Sequence, residues 1–152
     1  MNSYQKILAL VVCMAALPLA VGLQRAADQP KPAPAQDGVL IHLSKGAADP
    51  HAVAMALKMA NLMAADRDVL VYCDLQGISI VLKDGPDIAF PTFDSSRAQL
   101  KTLLDKSVVV CACPSCLKAL GKTPQDLRPG VKTANKDAFF TFTKGRVVTL
   151  DY

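Results

Sequence analysis

Three stretches of this chain are apolar without alternation: Gly38–Leu43 (GVLIHL), residues 69–73 (VLVYC) and residues 108–112 (VVVCA). A strand with one wet face alternates apolar and polar residues. An unbroken apolar run of this length belongs to a strand covered on both faces. Between the first two runs lies Asp49-Pro50. Asp49 suits an N-cap, and Pro50 suits the first helical position because it has no N–H to leave unpaired. The helix that follows is expected to reach about Ala65, with Val53, Ala56, Leu57, Ala60 and Ala64 on one apolar face. Met55, Met59, Leu62 and Met63 form a second face, and only a thin strip around Lys58, Asn61 and Asp66 is polar. Such a helix packs on a sheet with one side. Its other side is either buried in the same domain or offers the soft methionine stripe to another subunit.

The remaining punctuation is weaker. Residues 78–82 read as a short strand or one helical turn. Asp94 is expected to cap a helix to about Lys106, with Leu100, Leu103 and Leu104 inward. Val131 and Lys132 suggest a brief strand, residues 135–143 fit either period, and residues 146–150 (RVVTL) read as a last strand. Strands alternating with helices predict an α/β fold, a mostly parallel sheet with helices on both faces.

The folded domain is expected to span residues 37–152. Residues 7–23 are apolar with no charge and follow Lys6, so residues 1–22 read as a signal peptide cut after Gly22 or as an uncleaved N-terminal anchor. Residues 23–36 are a Pro/Ala-rich linker that favours extended polyproline conformation. The expected location is periplasmic, or anchored to the inner membrane and facing the periplasm, with the membrane met only through that first segment. The net charge is +4, but lysines and arginines are scattered and there is no Trp. No basic stripe or aromatic platform exists for nucleic acid. Residues 44–46 resemble no phosphate-binding fingerprint.

Cysteine usage carries the chemistry. Beyond Cys13 the chain has Cys73, Cys111, Cys113 and Cys116, the last three within six positions of the block VVVCACPSCLKALG, residues 108–121. The strand gives way at Cys113, a short helix opens at Pro114, and Gly121 stops it. A thiol at such a junction faces unpaired N–H groups and the positive end of a helix dipole, both of which favour the thiolate. Cys113 is therefore the candidate nucleophile; the plainer reading is a small hydrophobe at a strand end. Cys116 lies one turn on, within disulfide reach. C-x-x-C after a strand and opening a helix is also a redox arrangement. Cys111 shares a face with Cys113 if the strand runs straight, and Cys73 is expected in the core.

In α/β sheets the site lies beyond the carboxyl ends of the strands. The loops after the three apolar runs meet there, which makes Lys45, His51 and Asp74 possible neighbours of Cys113, with Lys45 or His51 supporting the thiolate. The plainer reading of His51 is a solvent-facing residue near a helix start. C-x-C-x-x-C could hold Cu(I) or zinc, but a closed zinc site needs a fourth ligand, from His51, His42 or Cys73. His42, mid-strand, reads better as a satisfied core histidine. No metal and no cofactor is expected.

The first strand, loop and helix (GVLIHLSKGAADPHAVAMALKMANLM), the second strand running into Gly77 (VLVYCDLQG) and the cysteine block together resemble the DsrE/DsrF-like family, which includes the TusD-type sulfur-relay subunits. The resemblance spans residues 38–152, and the cysteine block is its most specific part. By its spacing to Gly121, Cys113 matches the family's sulfur-carrying cysteine. Cys116 matches a second cysteine of the branch bearing CPxC. The resemblance implies a flavodoxin-like fold and homo-oligomers or mixed oligomers, of trimer or hexamer type. It also implies persulfide carriage, in which Cys113 takes sulfane sulfur from a donor protein and passes it to an acceptor thiol. That exchange requires an accessible sulfur of low pKa. Thiol–disulfide redox work through Cys113 and Cys116, or a soft-metal-binding or assembly module, are the alternatives on the same residues.

Overall fold

The computed structural model describes residues 35–152 of the chain. The expected signal or anchor, residues 1–22, and all but the last two residues of the linker lie outside the described residues. The five strands are β1 (Gly38–Leu43), β2 (Asp68–Cys73), β3 (Val109–Ala112), β4 (Lys132–Thr133) and β5 (Val147–Asp151). They form one sheet in the order β4-β3-β2-β1-β5, and every pair is parallel. The unbroken apolar runs are thus parallel strands, as their lack of alternation requires.

Helix α1 (Pro50–Met63) joins β1 to β2. Its Asp49 carboxylate accepts from the Ala52 N–H at 3.1 Å, and Pro50 opens the first turn. Residues 78–82 resolve to one helical turn, α2 (Ile78–Val81). Helix α3 (Ser96–Asp105) is capped by Ser95, whose hydroxyl accepts from the Ala98 N–H, and not by Asp94. The helix thus starts one residue later than expected, and its first residue is held to Ile88 by two bonds, Ser96 N–H to the Ile88 carbonyl and Ile88 N–H to the Ser96 hydroxyl, both at 2.8 Å. Helix α4 (Pro114–Ala119) follows β3, and α5 (Ala138–Thr141) settles the ambiguous stretch before β5 as helix.

Chain direction explains the layers. From β1 to β4 the chain steps one way across the sheet; the return to β5, on the far side of β1, steps the other way. Right-handed crossovers then put α1, α3 and α4 on one face and α5 on the opposite one. On the first face Val39, Ile41 and Leu43 of β1, Val69, Val71 and Cys73 of β2, and Val110 and Ala112 of β3 meet Leu57 of α1 and Leu100 and Leu103 of α3 in one buried cluster. Each large side chain taken fully out of water there is worth about 1.5–3 kcal/mol. The alternate residues, among them His42, Tyr72 and Cys111, face the other way. Phe139 of α5 meets the Tyr72 ring edge-on there, at 5.0 Å.

A candidate thiol site at the carboxyl edge of the sheet

Strand β3 delivers Cys113 to the sheet's carboxyl edge. Its N–H donates to the Cys73 carbonyl at 2.9 Å, which pins it beside the end of β2. Its extended backbone makes it the N-cap of α4, and Pro114 opens the helix. Leu117, buried in the core, plants this six-residue helix. At the far end the Lys122 N–H reaches the Leu117 carbonyl at 2.9 Å and the Gly121 N–H reaches that of Lys118 at 3.0 Å. Gly121 sits at φ +66°, the left-handed conformation this Schellman closure needs.

The sulfur of Cys113 is half-buried and opens on a groove of about 490 Å³, whose walls include Tyr72, Ser115, Asn135, Lys136 and Phe139. Burial opposes its ionisation. The Tyr72 hydroxyl, the Cys116 N–H and thiol, and the Ser115 N–H outweigh that, and the pKa falls below the ordinary thiol value. The neutral thiol forms no cap hydrogen bond; these groups favour the charged form. Cys116 behaves oppositely. The Leu75 N–H donates to its sulfur at 3.4 Å and favours ionisation, but burial, Cys113 and the Asp74 charge together push its pKa up. The pair therefore loses its first proton from Cys113. Cys73 is fully buried and pushed up to about 12, mainly by burial. Cys111 is buried and also raised by burial. The four thiols among the described residues are thus sorted into two that can react and two that are packing.

No protein-family model matches the sequence, and no curated protein does. Solved structures do. MTH1491 of Methanobacterium thermoautotrophicum, described as a protein of unknown function, is similar with a TM-score of 0.56 and 16% identity, over 76% of this chain and 99% of its own. YchN of E. coli is similar with a TM-score of 0.53 and 13% identity, over 76% of this chain and 98% of its own. The fold is DsrE-like. At these identities the likeness is one of architecture, a five-stranded parallel sheet of flavodoxin-like type.

Within this fold the expected neighbours of Cys113 separate. Asp74 lies near the pair, its charge felt at Cys116 and its carboxylate bonded to His42. Lys45 lines a different cavity, of about 870 Å³, with Gly46, Leu75, Gln76 and Leu120 among its walls. His51 stacks on Phe90 at 4.3 Å and meets Phe93 edge-on. Neither Lys45 nor His51 has a hydrogen bond or ion pair to a cysteine among the described residues. The helix start that carries His51 turns it towards residues 90–93, on the α1 side of the sheet. Nor do three or more His, Cys or Asp side chains converge as metal ligands among the described residues. His42 is satisfied, though by ion pairs and not in the core. Tyr72 is the residue that sequence reasoning missed. Its signal was a lone hydroxyl one residue from the carboxyl end of a buried strand.

Proposed function

We propose that the domain traffics sulfane sulfur, carrying it as a persulfide on Cys113 and passing it to a partner thiol. The observation that supports this is an acidified, half-buried thiol opening on a groove, beside a second, less acidic thiol. The Cys113 thiolate attacks the outer sulfur of a donor R–S–SH, forming Cys113–S–SH and releasing R–S⁻. An acceptor thiolate then attacks that outer sulfur, and Cys113 departs as thiolate. One sulfur–sulfur bond forms for each that breaks, with no net oxidation. Acidity helps most at the second step, where Cys113 is the leaving group. The reading includes donor and acceptor proteins, assembly of copies of the chain, and work outside the cytoplasmic membrane on the strength of the apolar first segment.

A second reading rests on the nearness of Cys116. Its thiolate can attack the inner sulfur of Cys113–S–SH, closing a Cys113–Cys116 disulfide and expelling HS⁻. The same pair then serves thiol–disulfide exchange. Intact-mass measurement after exposure to polysulfide separates the two. Carriage predicts a gain of one sulfur atom that is lost in Cys113→Ser and persists longer in Cys116→Ser. Loss of two protons with sulfide release, and no lasting sulfur adduct in the wild type or in Cys116→Ser, would refute carriage in favour of redox exchange.

A further inference from the structure

One register row crosses all five strands on the sheet face opposite α1. It runs Asp151, His42, Tyr72, Cys111, Lys132. The next row of that face, Thr149, Leu40, Leu70 and Val109, is mostly apolar, so the polar row is confined to the carboxyl end, where Cys113 sits. A half-buried imidazole in that row is costly unless it is satisfied by partners. His42 has them at both ring nitrogens: Nε2 lies 2.9 Å from Asp74 Oδ1 and Nδ1 lies 2.6 Å from Asp151 Oδ1. Two carboxylate partners call for two N–H donors, the imidazolium form.

The fixed imidazole is a wall for its neighbour. The Tyr72 ring stacks on it at 5.7 Å and 27°, while Phe139 stands edge-on to Tyr72 at 5.0 Å and 73°. The phenol ring is thus held by two aromatic contacts, and Tyr72 lines the same groove as Cys113. The Tyr72 hydroxyl has no formed hydrogen bond among the described residues. Hydrogen bonds at reacting groups are often long in the resting state and tighten when charge develops.

Resting on the reading of Cys113 as a sulfur carrier, we propose that Tyr72 is a catalytic residue of the transfer. Its hydroxyl donates to the Cys113 thiolate, and His42, pinned by Asp74 and Asp151, is the positioning residue that holds the Tyr72 ring. The thiolate exists twice in each cycle, once as attacking group and once as leaving group, and one donor serves both moments. Burial, and the Cys113 thiolate once it forms, raise the Tyr72 pKa far above its usual value, so the phenol keeps its proton and remains a donor. The other charged or titratable groups around Cys113 are Asp74 ahead of α2, Cys116 on α4 and Lys136 on the groove wall.

Tyr72→Phe removes one oxygen and keeps both ring contacts. The readouts are the pH profile of Cys113 alkylation by iodoacetamide, located by mass spectrometry, and the rate of sulfur uptake from polysulfide. One lost donor is expected to raise the alkylation midpoint by about one pH unit and to slow uptake about tenfold below that midpoint. His42→Asn is expected to shift the midpoint less, in the same direction, and to add nothing in a Tyr72→Phe background. An unchanged midpoint and uptake rate in natively folded Tyr72→Phe would overturn the assignment and leave sulfur carriage standing. A raised midpoint with no sulfur uptake by either protein keeps Tyr72 as the donor to Cys113 and removes carriage. A His42→Asn shift that adds fully to that of Tyr72→Phe overturns the positioning role.

Discussion

Gly77→Ala adds one methyl group to the loop that carries both Asp74 and Leu75. The backbone of Gly77 is ordinary, φ −62° and ψ −20°, so conformation is no obstacle. Space is: the added carbon would lie 2.0 Å from the Leu43 carbonyl oxygen and 2.9 Å from its carbon. Both atoms are backbone at the buried end of β1, so no side chain can swing aside. Restoring a 3.0 Å contact means moving loop and strand apart by about 1 Å (3.0 − 2.0). Two bonds tie them, Asp74 N–H to the Leu43 carbonyl at 3.3 Å and Gly77 N–H to the Ser44 carbonyl at 3.1 Å. Weakening these costs about 0.5–1.5 kcal/mol each. With overpacking of about 1–3 kcal/mol, the expected loss is about 2–6 kcal/mol. For a slope of about 1.5 kcal/mol/M, the urea midpoint falls by about 1.3–4 M. The loss is local to the site as well. As Leu75 retreats from the Cys116 sulfur, Cys116 loses the donor that favours its ionisation, and its alkylation slows. A midpoint shift below about 0.5 M, with Cys116 labelling unchanged, would refute the close-approach argument. Gly121→Ala is the contrasting control. Its added carbon meets nothing within 4 Å, but φ is +66°, so it pays only the left-handed penalty of about 1–2 kcal/mol.

Two further expectations concern the thiols and the histidine. In the folded protein near pH 8, iodoacetamide labels Cys113 first and Cys116 more slowly, while Cys73 and Cys111 label only after denaturation; equal native labelling of Cys73 would contradict its burial. Burial lowers the His42 pKa, but the bonds and charges of Asp74 and Asp151 outweigh it and the net shift is upward. A raised folded value stabilises the native state fully below the unfolded pKa of about 6.5, and that contribution fades as pH rises through the folded value. The urea-midpoint gap between wild type and His42→Asn is therefore expected to narrow from acid to alkaline pH, and a gap that widens would reverse the sign.

What could be read from the sequence was what depends on neighbours along the chain. Residues 69–73 and the VVVCA run announced buried parallel strands because no polar residue alternates within them. Asp49-Pro50 fixed a helix start to the residue, and Cys113-Pro114 did the same for α4. What could not be read depends on neighbours across the sheet. Nothing local says that β5 returns beside β1, so Asp151 could not be paired with His42 in advance. Tyr72 looked like one more apolar strand residue until the register placed it next to His42 and its ring beside Cys113's groove. Lys45 and His51 were assigned from loop position alone. Loops that meet at one edge of a sheet still send side chains to different cavities, as the stack of His51 on Phe90 shows. The cap of α3 falls on Ser95, and the first turn is tied to Ile88, a partner eight residues back that local spacing does not reveal.

The burial of Cys73 and Cys111 has a bearing on how this chain matures. Before the sheet closes, all the thiols are equally open to an oxidant, and any of them can be cross-linked wrongly to Cys113 or Cys116. Once β2 and β3 zip together, two of the sulfurs disappear from the contest, and reaching them needs the sheet to open. Wherever an oxidant meets the chain before it folds, keeping these thiols free is thus a race between strand docking and oxidation. A variant that docks slowly would be caught as scrambled, covalently trapped species even where its final stability is unimpaired.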